Sequence, residues 1–164
     1  MGILGFIKEA GEKLFGVKEV EAAAASPATK QQLDTLNTQA AHAIRDYVEA
    51  QKLGITGLFV LFDGATGKVT LQGEAPSQEA AEKAALCAGN VASVKEVESL
   101  LAVSTPAPEA QYHDVVRGDT LSAIALKYYG NANKYPVIFE ANKPMLSNPD
   151  KIYPGQKLRI PPLS

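Results

Sequence analysis

The sequence is poor in the residue types that most often build metal and catalytic centres. Its 164 residues include one cysteine, Cys87, and two histidines, His42 and His113. A single cysteine excludes a disulfide within the chain, and one cysteine with two distant histidines does not make a metal cluster of ordinary spacing. Cys87 lies in an apolar helical segment, where we expect its thiol to be a small buried hydrophobic group.

Catalytic motifs are missing as well. The sequence contains no Ser-His-Asp set, phosphate-binding loop or dinucleotide fingerprint. Residues 63–67 read Asp-Gly-Ala-Thr-Gly, which lacks the spaced carboxylates of a calcium loop and predicts a hairpin turn. We expect His42 to be structural or solvated, and the carboxylates of Glu74, Glu79 and Glu82 to lie on helix surfaces. The sequence therefore predicts a protein that is not an enzyme.

Long apolar runs are also absent. None reaches the ~20 residues that cross a bilayer, and charges from Lys8 to Lys13 interrupt the N-terminal segment too early for the apolar core of a secretory signal. Phe6 stands where a myristoylation signal prefers serine or threonine. We expect a cytoplasmic protein with no membrane partner.

The net charge of −2 is too small and too acidic to indicate a nucleic-acid partner. It is unevenly spread, since residues 1–110 carry 14 acidic and 9 basic side chains, whereas residues 111–164 carry 4 acidic and 7 basic ones. This asymmetry fits two domains that attract each other weakly. It fits equally well two independently solvated surfaces, because salt screens exposed charges.

Residues 111–162 predict a strand, two helices and a closing strand. A β-rich stretch at 112–116 stops at the turn pair Gly118-Asp119, and Asp119 or Thr120 can cap the helix that follows. Gly130 is expected to end this helix in a left-handed conformation. Pro136 suits the first turn of the second helix. The apolar residues of the closing strand are Leu158 and Ile160.

This region resembles a LysM domain, a small βααβ module. The resemblance rests on Val-Arg-Gly-Asp-Thr-Leu at 116–121, Ile-Phe-Glu-Ala-Asn at 138–142 and Ile-Tyr-Pro-Gly-Gln-Lys-Leu-Arg-Ile-Pro at 152–161, in the expected order and with the expected gaps. It implies recognition of glycans that contain N-acetylglucosamine, such as peptidoglycan or chitin. An unidentified protein or glycan is thus a possible occupant of the LysM groove.

Residues 30–104 predict helix, strand, strand, helix and strand, in that order. Apolar residues recur every three or four positions from 33 to 47, and two strands flank the hairpin turn at 63–67. Ser77 can cap the second helix, which Gly89-Asn90 ends. The third strand is expected at 94–103. Helices on one face of a small sheet make a two-layer α+β domain, and the linker at 105–110 contains two prolines.

The N-terminal segment is predicted as a helix that cannot stand alone. Five apolar residues share one helical face: Ile3, Phe6, Ile7, Ala10 and Leu14. Gly5 and Gly11 each weaken that helix by roughly 1 kcal/mol relative to alanine. We therefore expect residues 1–17 to form an amphipathic helix that docks on the next domain, and residues 18–29 to form an alanine-rich linker.

Residues 67–75 and 91–97, separated by a helix, resemble a BON domain. Followed by a LysM domain and preceded by Gly-x-x-x-Phe-x-Lys-x-Ala-Gly-Glu-Lys-Leu, this domain is similar to that of small bacterial BON–LysM proteins, the cytoplasmic potassium-binding protein family. The resemblance implies an α+β protein that has an αββαβ BON domain and a βααβ LysM domain. It also implies a monomer that binds K⁺, with Rb⁺ or Cs⁺ as substitutes, and compacts when it does.

The resemblance further implies where the ion lies. A large, weakly hydrated cation suits several neutral oxygens, and the last carbonyls of a helix lack intrahelical donors and carry partial negative charge. In the resembled family main-chain carbonyls hold the ion. By motif these are the carbonyls of Ile7 and Ala10 in the N-terminal segment, and of Gly89, Val91 and Val94 after the BON helix.

Two other functions compete with potassium binding. One is a cell-envelope protein whose LysM domain binds peptidoglycan or another glycan. The other is a non-catalytic adaptor whose LysM groove binds a protein. The absent secretory segment counts against the first alternative, and nothing in the residues counts against the second.

Overall fold

The computed structural model describes residues 3–6 and 30–163. The first unit consists of β1 (Ile3–Gly5), α1 (Lys30–Ala50), β2 (Thr56–Asp63), β3 (Lys68–Ala75), α2 (Gln78–Gly89) and β4 (Glu96–Val103). The second consists of β5 (Gln111–Asp114), α3 (Leu121–Tyr129), a 3₁₀ turn (Ala132–Lys134), α4 (Tyr135–Ala141) and β6 (Lys157–Ile160). Each unit has its own apolar core.

The strands of the first unit form a sheet in the order β1-β4-β3-β2 within the described residues. β2 and β3 are an antiparallel hairpin, and the turn at 63–67 is held by the Asp63 side chain, which accepts bonds from Ala65 N and Thr66 Oγ1. β3 and β4 run parallel, so α2 is the crossover between them. The predicted hairpin is present, and the predicted second helix forms the crossover between the two parallel strands.

Both helices of this unit bury one face against the sheet. In α1 the buried residues are Ala40, Ala41, Ile44 and Val48, at helical spacing. α2 begins at the cap residue Ser77, whose side chain accepts a bond from Ala80 N. Its small alanines lie almost wholly inside the core. The other face of the sheet carries the exposed side chains of Phe59, Leu61 and Leu100.

The prediction of a helix from residue 3 is wrong for residues 3–5. These residues form β1, which pairs antiparallel with β4 through Ile3–Glu98 and Gly5–Glu96. Pairing with the edge of β4 satisfies main-chain donors and acceptors on both strands, which local helical periodicity cannot reveal. The remainder of the predicted helix, to residue 17, and the linker at 18–29 lie outside the described residues.

The second unit has the predicted βααβ order. Thr120 caps α3 by accepting a bond from Ala123 N, and Gly130 ends it at φ +70° in the left-handed region. Pro136 lies in the first turn of α4, as predicted. β5 and β6 pair antiparallel, with His113 opposite Leu158.

β6 is buried on both of its faces. Leu158 and Ile160 belong to the core of the second unit, whereas Lys157 and Arg159 alternate with them and are 8% and 7% exposed. Their burial is explained by α2, which packs against β6. The two units therefore meet at a helix of one and a strand of the other.

Candidate functional site

Three of the five predicted ion ligands lie together at the end of α2. Gly89 is the last helical residue, and Val91 and Val94 lie in the turn that leads to β4. The side chains of Val91 and Val94 are buried in the core of the first unit. The other two predicted ligands, Ile7 and Ala10, lie outside the described residues.

The helix end has a specific pattern of main-chain hydrogen bonds. Asn90 N donates to Leu86 O at 3.0 Å, Val91 N to Ala88 O at 3.3 Å, and Val94 N to Val91 O at 3.2 Å. A carbonyl oxygen has two lone pairs, so the bond from Val94 leaves the oxygen of Val91 able to ligate a cation. The negative end of the helix dipole favours positive charge at the same place.

The turn after α2, residues 90–95, is held in an unusual conformation. Ser93 has φ +75°, in the left-handed region that side chains other than glycine rarely adopt. Lys95 N donates to Gly67 O at 2.8 Å, and a Cβ at Gly67 would lie 2.9 Å from Ser93 O. The β2–β3 hairpin thus braces the turn, and the turn's shape does not depend on α2 alone.

Phe6 covers the end of α2. Its N–H donates to Lys95 O at 2.8 Å, and its ring packs so closely on Gly89 that a Cβ there would lie 1.8 Å from Phe6 Cζ. Gly89 is not in the left-handed region. The structure therefore requires glycine at this position because of the close approach of Phe6, and not because of a special backbone conformation.

Asn90 joins the turn to the second unit. Its side-chain Nδ2 donates to Lys157 O at 2.9 Å, and its Oδ1 accepts from Lys157 N at 3.0 Å. The Lys157 ammonium lies 2.9 Å from Asp114 Oδ1 and 5.5 Å from the centroid of the Phe6 ring, within cation–π range. Gly89, Phe6, Lys157 and Asn90 thus form a closed ring of contacts.

A buried ion pair makes a second contact between the units, earlier on α2. Glu82 Oε1 accepts from Nε and from a terminal nitrogen of Arg159, both at 2.9 Å. Glu82 Oε2 accepts from Ala110 N at 2.9 Å, which fixes the linker as well. The expectation that Glu82 lies on a helix surface is wrong, because the second unit covers that face of α2.

The oxygens predicted to hold the ion at the end of α2 are main-chain carbonyl oxygens. Among residues 3–6 and 30–163, no three histidine, cysteine or acidic side chains gather into a metal-binding group. A site of neutral carbonyls at a helix C-terminus, with apolar side chains behind it, fits a monovalent cation with a loosely held hydration shell. It does not resemble the carboxylate-rich sites of Ca²⁺.

The first turn of the second unit is held by side chains. His113 is buried, with Nε2 2.8 Å from Asp119 Oδ2 and Nδ1 3.0 Å from Tyr128 Oη. Asp119 also accepts a bond from Val116 N. Burial pushes the pKa of Asp119 upward, but the bonds from His113 and Val116 outweigh it and hold the pKa below its usual value.

Comparison with known proteins places these features in families. The BON domain family matches residues 38–105, and the LysM domain family matches residues 113–161. Potassium binding protein Kbp of Escherichia coli is 44% identical over 161 residues, which is 98% of this chain and 99% of that protein. This chain belongs to the family of that protein. The family's two-domain organisation spans both units and the junction between them.

Other relatives match a much shorter stretch of the chain. An uncharacterized protein of Deinococcus radiodurans is 53% identical over 49 residues, 30% of this chain and 19% of its own length. An esterase of Mycobacterium tuberculosis is 45% identical over 49 residues, 30% of this chain and 10% of its own length. Because these matches cover less than a third of this chain and less than a fifth of each relative, they carry no information about ester chemistry here.

Membrane insertion finds no support in the helices described. Within residues 3–6 and 30–163, no helix combines the length and the apolar character that a bilayer crossing requires. The longest of them, α1, is amphipathic and buries a single face on the sheet.

The residues that join the two units were not identified from the sequence. Lys157 and Arg159 alternate with Leu158 and Ile160, a pattern that normally indicates a solvated strand face. The sequence indicates Asn90 only as part of a helix stop. Its partner Lys157 lies 67 residues away, and so distant a contact leaves no local pattern. The available signal was the positive charge of Lys157 and Arg159, which is opposite to the net negative charge of residues 1–110.

Proposed function

We propose that this protein binds potassium ions without catalysing a reaction, through main-chain carbonyl oxygens of Gly89, Val91 and Val94, with Ile7 and Ala10 completing the set. The observation that carries the proposal is the 44% identity, over nearly the whole of both chains, with a protein named for potassium binding. The position of Gly89, Val91 and Val94 at the C-terminal end of α2, where main-chain carbonyls carry partial negative charge, supports it.

The chemistry of this helix end supports K⁺ in particular. K⁺ needs several oxygens that replace its hydration shell, and rings of main-chain carbonyls do this in potassium channels. The brace from Gly67 holds one end of the turn at 90–95, which limits the reorganisation of its carbonyls on binding. Rb⁺ and Cs⁺, which are also weakly hydrated, are included in the proposal as substitutes for K⁺.

The proposal includes compaction on binding. Phe6 ties the N-terminal strand to the end of α2, and Asn90 ties the same end to the second unit. An ion that binds only the closed arrangement stabilises it by about 2.7 kcal/mol at roughly 100 times its dissociation constant. That is enough to close a nearly balanced equilibrium between open and closed forms.

A titration tests the function. Untagged protein is titrated with KCl and, as a matched control, with NaCl at equal ionic strength, and heat and radius of gyration are recorded by calorimetry and small-angle scattering. We expect saturable heat and a smaller radius of gyration with K⁺ and not with Na⁺, and the same response with RbCl or CsCl. Identical responses to K⁺ and Na⁺ would overturn the proposal.

Carbonyl ¹³C chemical shifts test the ligands directly. Side-chain substitution leaves a main-chain carbonyl in place, so the shift of the carbonyl carbon is the better measurement. We expect K⁺, and not Na⁺, to move the signals of Gly89, Val91 and Val94. The carbonyls of Val69 and Leu71, in the buried part of β3, serve as controls. Equal movement of controls and proposed ligands would remove the assignment of the site.

The second unit, which holds the LysM domain (the LysM unit), is proposed to be a packing partner of the first unit, which holds the BON domain (the BON unit). The turn residues that a glycan would meet are engaged in the fold: Asp119 bonds His113 and Val116, Thr120 caps α3, and Asn148 accepts from Asp150 N. A monomeric state and a cytoplasmic location are part of the proposal. Analytical ultracentrifugation and cell fractionation test them.

A further inference from the structure

We infer that Asn90 is a positioning residue that couples the ion-binding turn to the LysM unit; the inference rests on the proposed function. Asn90 stands between two of the proposed ligands, Gly89 and Val91. Its side chain is 3% exposed and makes two hydrogen bonds to the main chain of Lys157 in β6. The residue between two of the proposed carbonyl ligands is therefore attached to the other domain.

The way in which Asn90 binds β6 has a parallel within the LysM unit. Asn142, at the end of α4, donates to Arg159 O at 2.9 Å and accepts from Arg159 N at 2.8 Å. Lys157 and Arg159 are two positions apart, so both amides use the edge of β6 that does not pair with β5. One amide comes from the LysM unit itself and the other comes from the BON unit.

This parallel explains what each asparagine does. A side-chain amide that both donates to and accepts from one residue imitates a neighbouring strand and allows little rotation about the contact. For Asn142 this closes its own domain. For Asn90 the same geometry fixes the start of the turn relative to β6, and with it the direction of the carbonyls on either side.

A second connection runs through the side chain of Lys157. Its ammonium lies 5.5 Å from the centroid of the Phe6 ring, and that ring packs on Gly89. The main chain of Lys157 thus holds Asn90, while its side chain meets the group that covers Gly89. A displacement of β6 would therefore disturb both Asn90 and the Phe6 ring that covers Gly89.

Thermodynamic linkage makes the coupling reciprocal. If docking of β6 on Asn90 favours the turn conformation that binds K⁺, then K⁺ must strengthen docking by the same factor. Two hydrogen bonds of ordinary net strength predict a factor of roughly ten, equal to about 1.4 kcal/mol. The LysM unit would then report on the ion without contacting it.

The test compares Asn90→Ala with Asn142→Ala as the matched control. We expect Asn90→Ala to raise the dissociation constant for K⁺ by about tenfold, and Asn142→Ala to leave it within about twofold while lowering the melting temperature. Asn90→Asp, equal in size but able to make only one of the two bonds, provides a second variant. It is expected to weaken K⁺ binding in the same direction.

An NMR readout separates positioning from general destabilisation. In the parent we expect the Lys157 amide signal to move with K⁺ at the midpoint shown by the Val91 and Val94 carbonyls. In Asn90→Ala the carbonyls should still move, at higher K⁺, while the Lys157 amide stays still. Parent-like affinity in both Asn90 variants, or a Lys157 amide that is silent in the parent, overturns the inference and leaves potassium binding intact. A parent that does not distinguish K⁺ from Na⁺ overturns both.

Discussion

Two buried contacts between the BON unit and the LysM unit differ in chemistry and in what they depend on. Glu82, in the middle of the helix, holds Arg159 by a buried ion pair. Asn90, in the turn beyond the helix, holds Lys157 by two neutral hydrogen bonds. The first needs only an intact helix, whereas the second also needs the turn in its described conformation.

Under the proposed function, this difference gives the two contacts different roles: the ion pair attaches the two units, and the two neutral hydrogen bonds respond to the ion. A buried ion pair pays a desolvation penalty that can exceed its attraction, yet removal of one partner leaves an uncompensated buried charge and is strongly destabilising. It suits a permanent attachment. A pair of neutral bonds has a smaller net free energy, of roughly 0.5–1.5 kcal/mol per bond. Under the proposed function, an ion at the turn with a differential free energy of roughly 1–3 kcal/mol would be able to shift this contact.

The largest expected effect comes from Glu82→Ala. The side chains of Glu82 and Arg159 are 4% and 8% exposed, so the change leaves the guanidinium buried without its partner. We expect the free energy of separating the two units, measured as the first transition in urea, to fall by about 3–5 kcal/mol. Small-angle scattering should show a larger radius of gyration, because the two units separate.

Glu79→Ala is the matched control for that change. Glu79 lies on the same helix and pairs with Lys83 at 2.8 Å, but its side chain is 55% exposed. Exposed pairs contribute at most about 1 kcal/mol. A loss for Glu82→Ala that is no larger than the loss for Glu79→Ala would mean that the ion pair does not attach the domains.

The second effect concerns the end of α2. In Gly89→Ala the new Cβ would lie 1.8 Å from Phe6 Cζ, so the ring must leave. Exposing a buried phenylalanine costs about 1.5–3 kcal/mol, which outweighs the gain of roughly 1 kcal/mol from alanine in a helix. We expect a net loss of stability, measured by urea unfolding.

The same substitution should change sign when Phe6 is already removed. In a Phe6→Ala background no ring has to be displaced, and Gly89→Ala should be neutral or stabilising. Gly5→Ala is a second control, since a Cβ there meets no described atom within 4 Å. Equal losses in both backgrounds would show that Gly89 is needed for a reason other than the close approach of Phe6.

A third measurement distinguishes loosening of the interface from opening of the core. Cys87 lies on α2 between Glu82 and Asn90, is buried in the core of the BON unit, and burial raises the pKa of its thiol to about 12. Since the thiolate is the reactive form, labelling at pH 8 should be at least about 100-fold slower than in urea.

The effect of Glu82→Ala on that labelling should be small. If the BON core is stable without the attached LysM unit, the labelling rate of Cys87 stays within about threefold of the parent, although the radius of gyration grows. Labelling of the variant at the unfolded rate would contradict this, because it would mean that the BON core depends on the LysM unit.

Local structure was largely predictable from the sequence. Thr120 and Gly130 mark the ends of α3 because capping and left-handed termination depend on a few neighbouring residues. The prediction failed at residues 3–5, where pairing with β4 overrides an apolar helical period. A strand partner almost a hundred residues away leaves no local pattern.

The junction between the units was not predictable, for a related reason. Glu82 and Arg159 each look like ordinary surface charges within their own element, and only their meeting 77 residues apart makes them a buried pair. Of the proposed ion ligands, Gly89, Val91 and Val94 were identified only through family resemblance. Main-chain carbonyls have no residue-type signature, so composition cannot reveal them.

The smallest expected effect belongs to Asp119→Asn, which changes a contact inside the LysM unit and not between the units. The pKa of Asp119 is lower in the folded protein than its usual value of 3.8. The carboxylate therefore stabilises the fold at pH values above 3.8, and this stability is lost as the pH falls through the pKa of the folded state. The melting temperature of Asp119→Asn should therefore lie below that of the parent at pH 7, and the difference should shrink below about pH 4. Asp150→Asn, at an exposed carboxylate, should show no such difference.

The dissociation constant of Asp119→Asn for K⁺ at pH 7 should stay within about twofold of the parent, since neither α2 nor β6 loses a bond. A larger change would mean that the ion responds to the whole LysM fold, and the distinction drawn between Asn90 and the rest of that unit would fail.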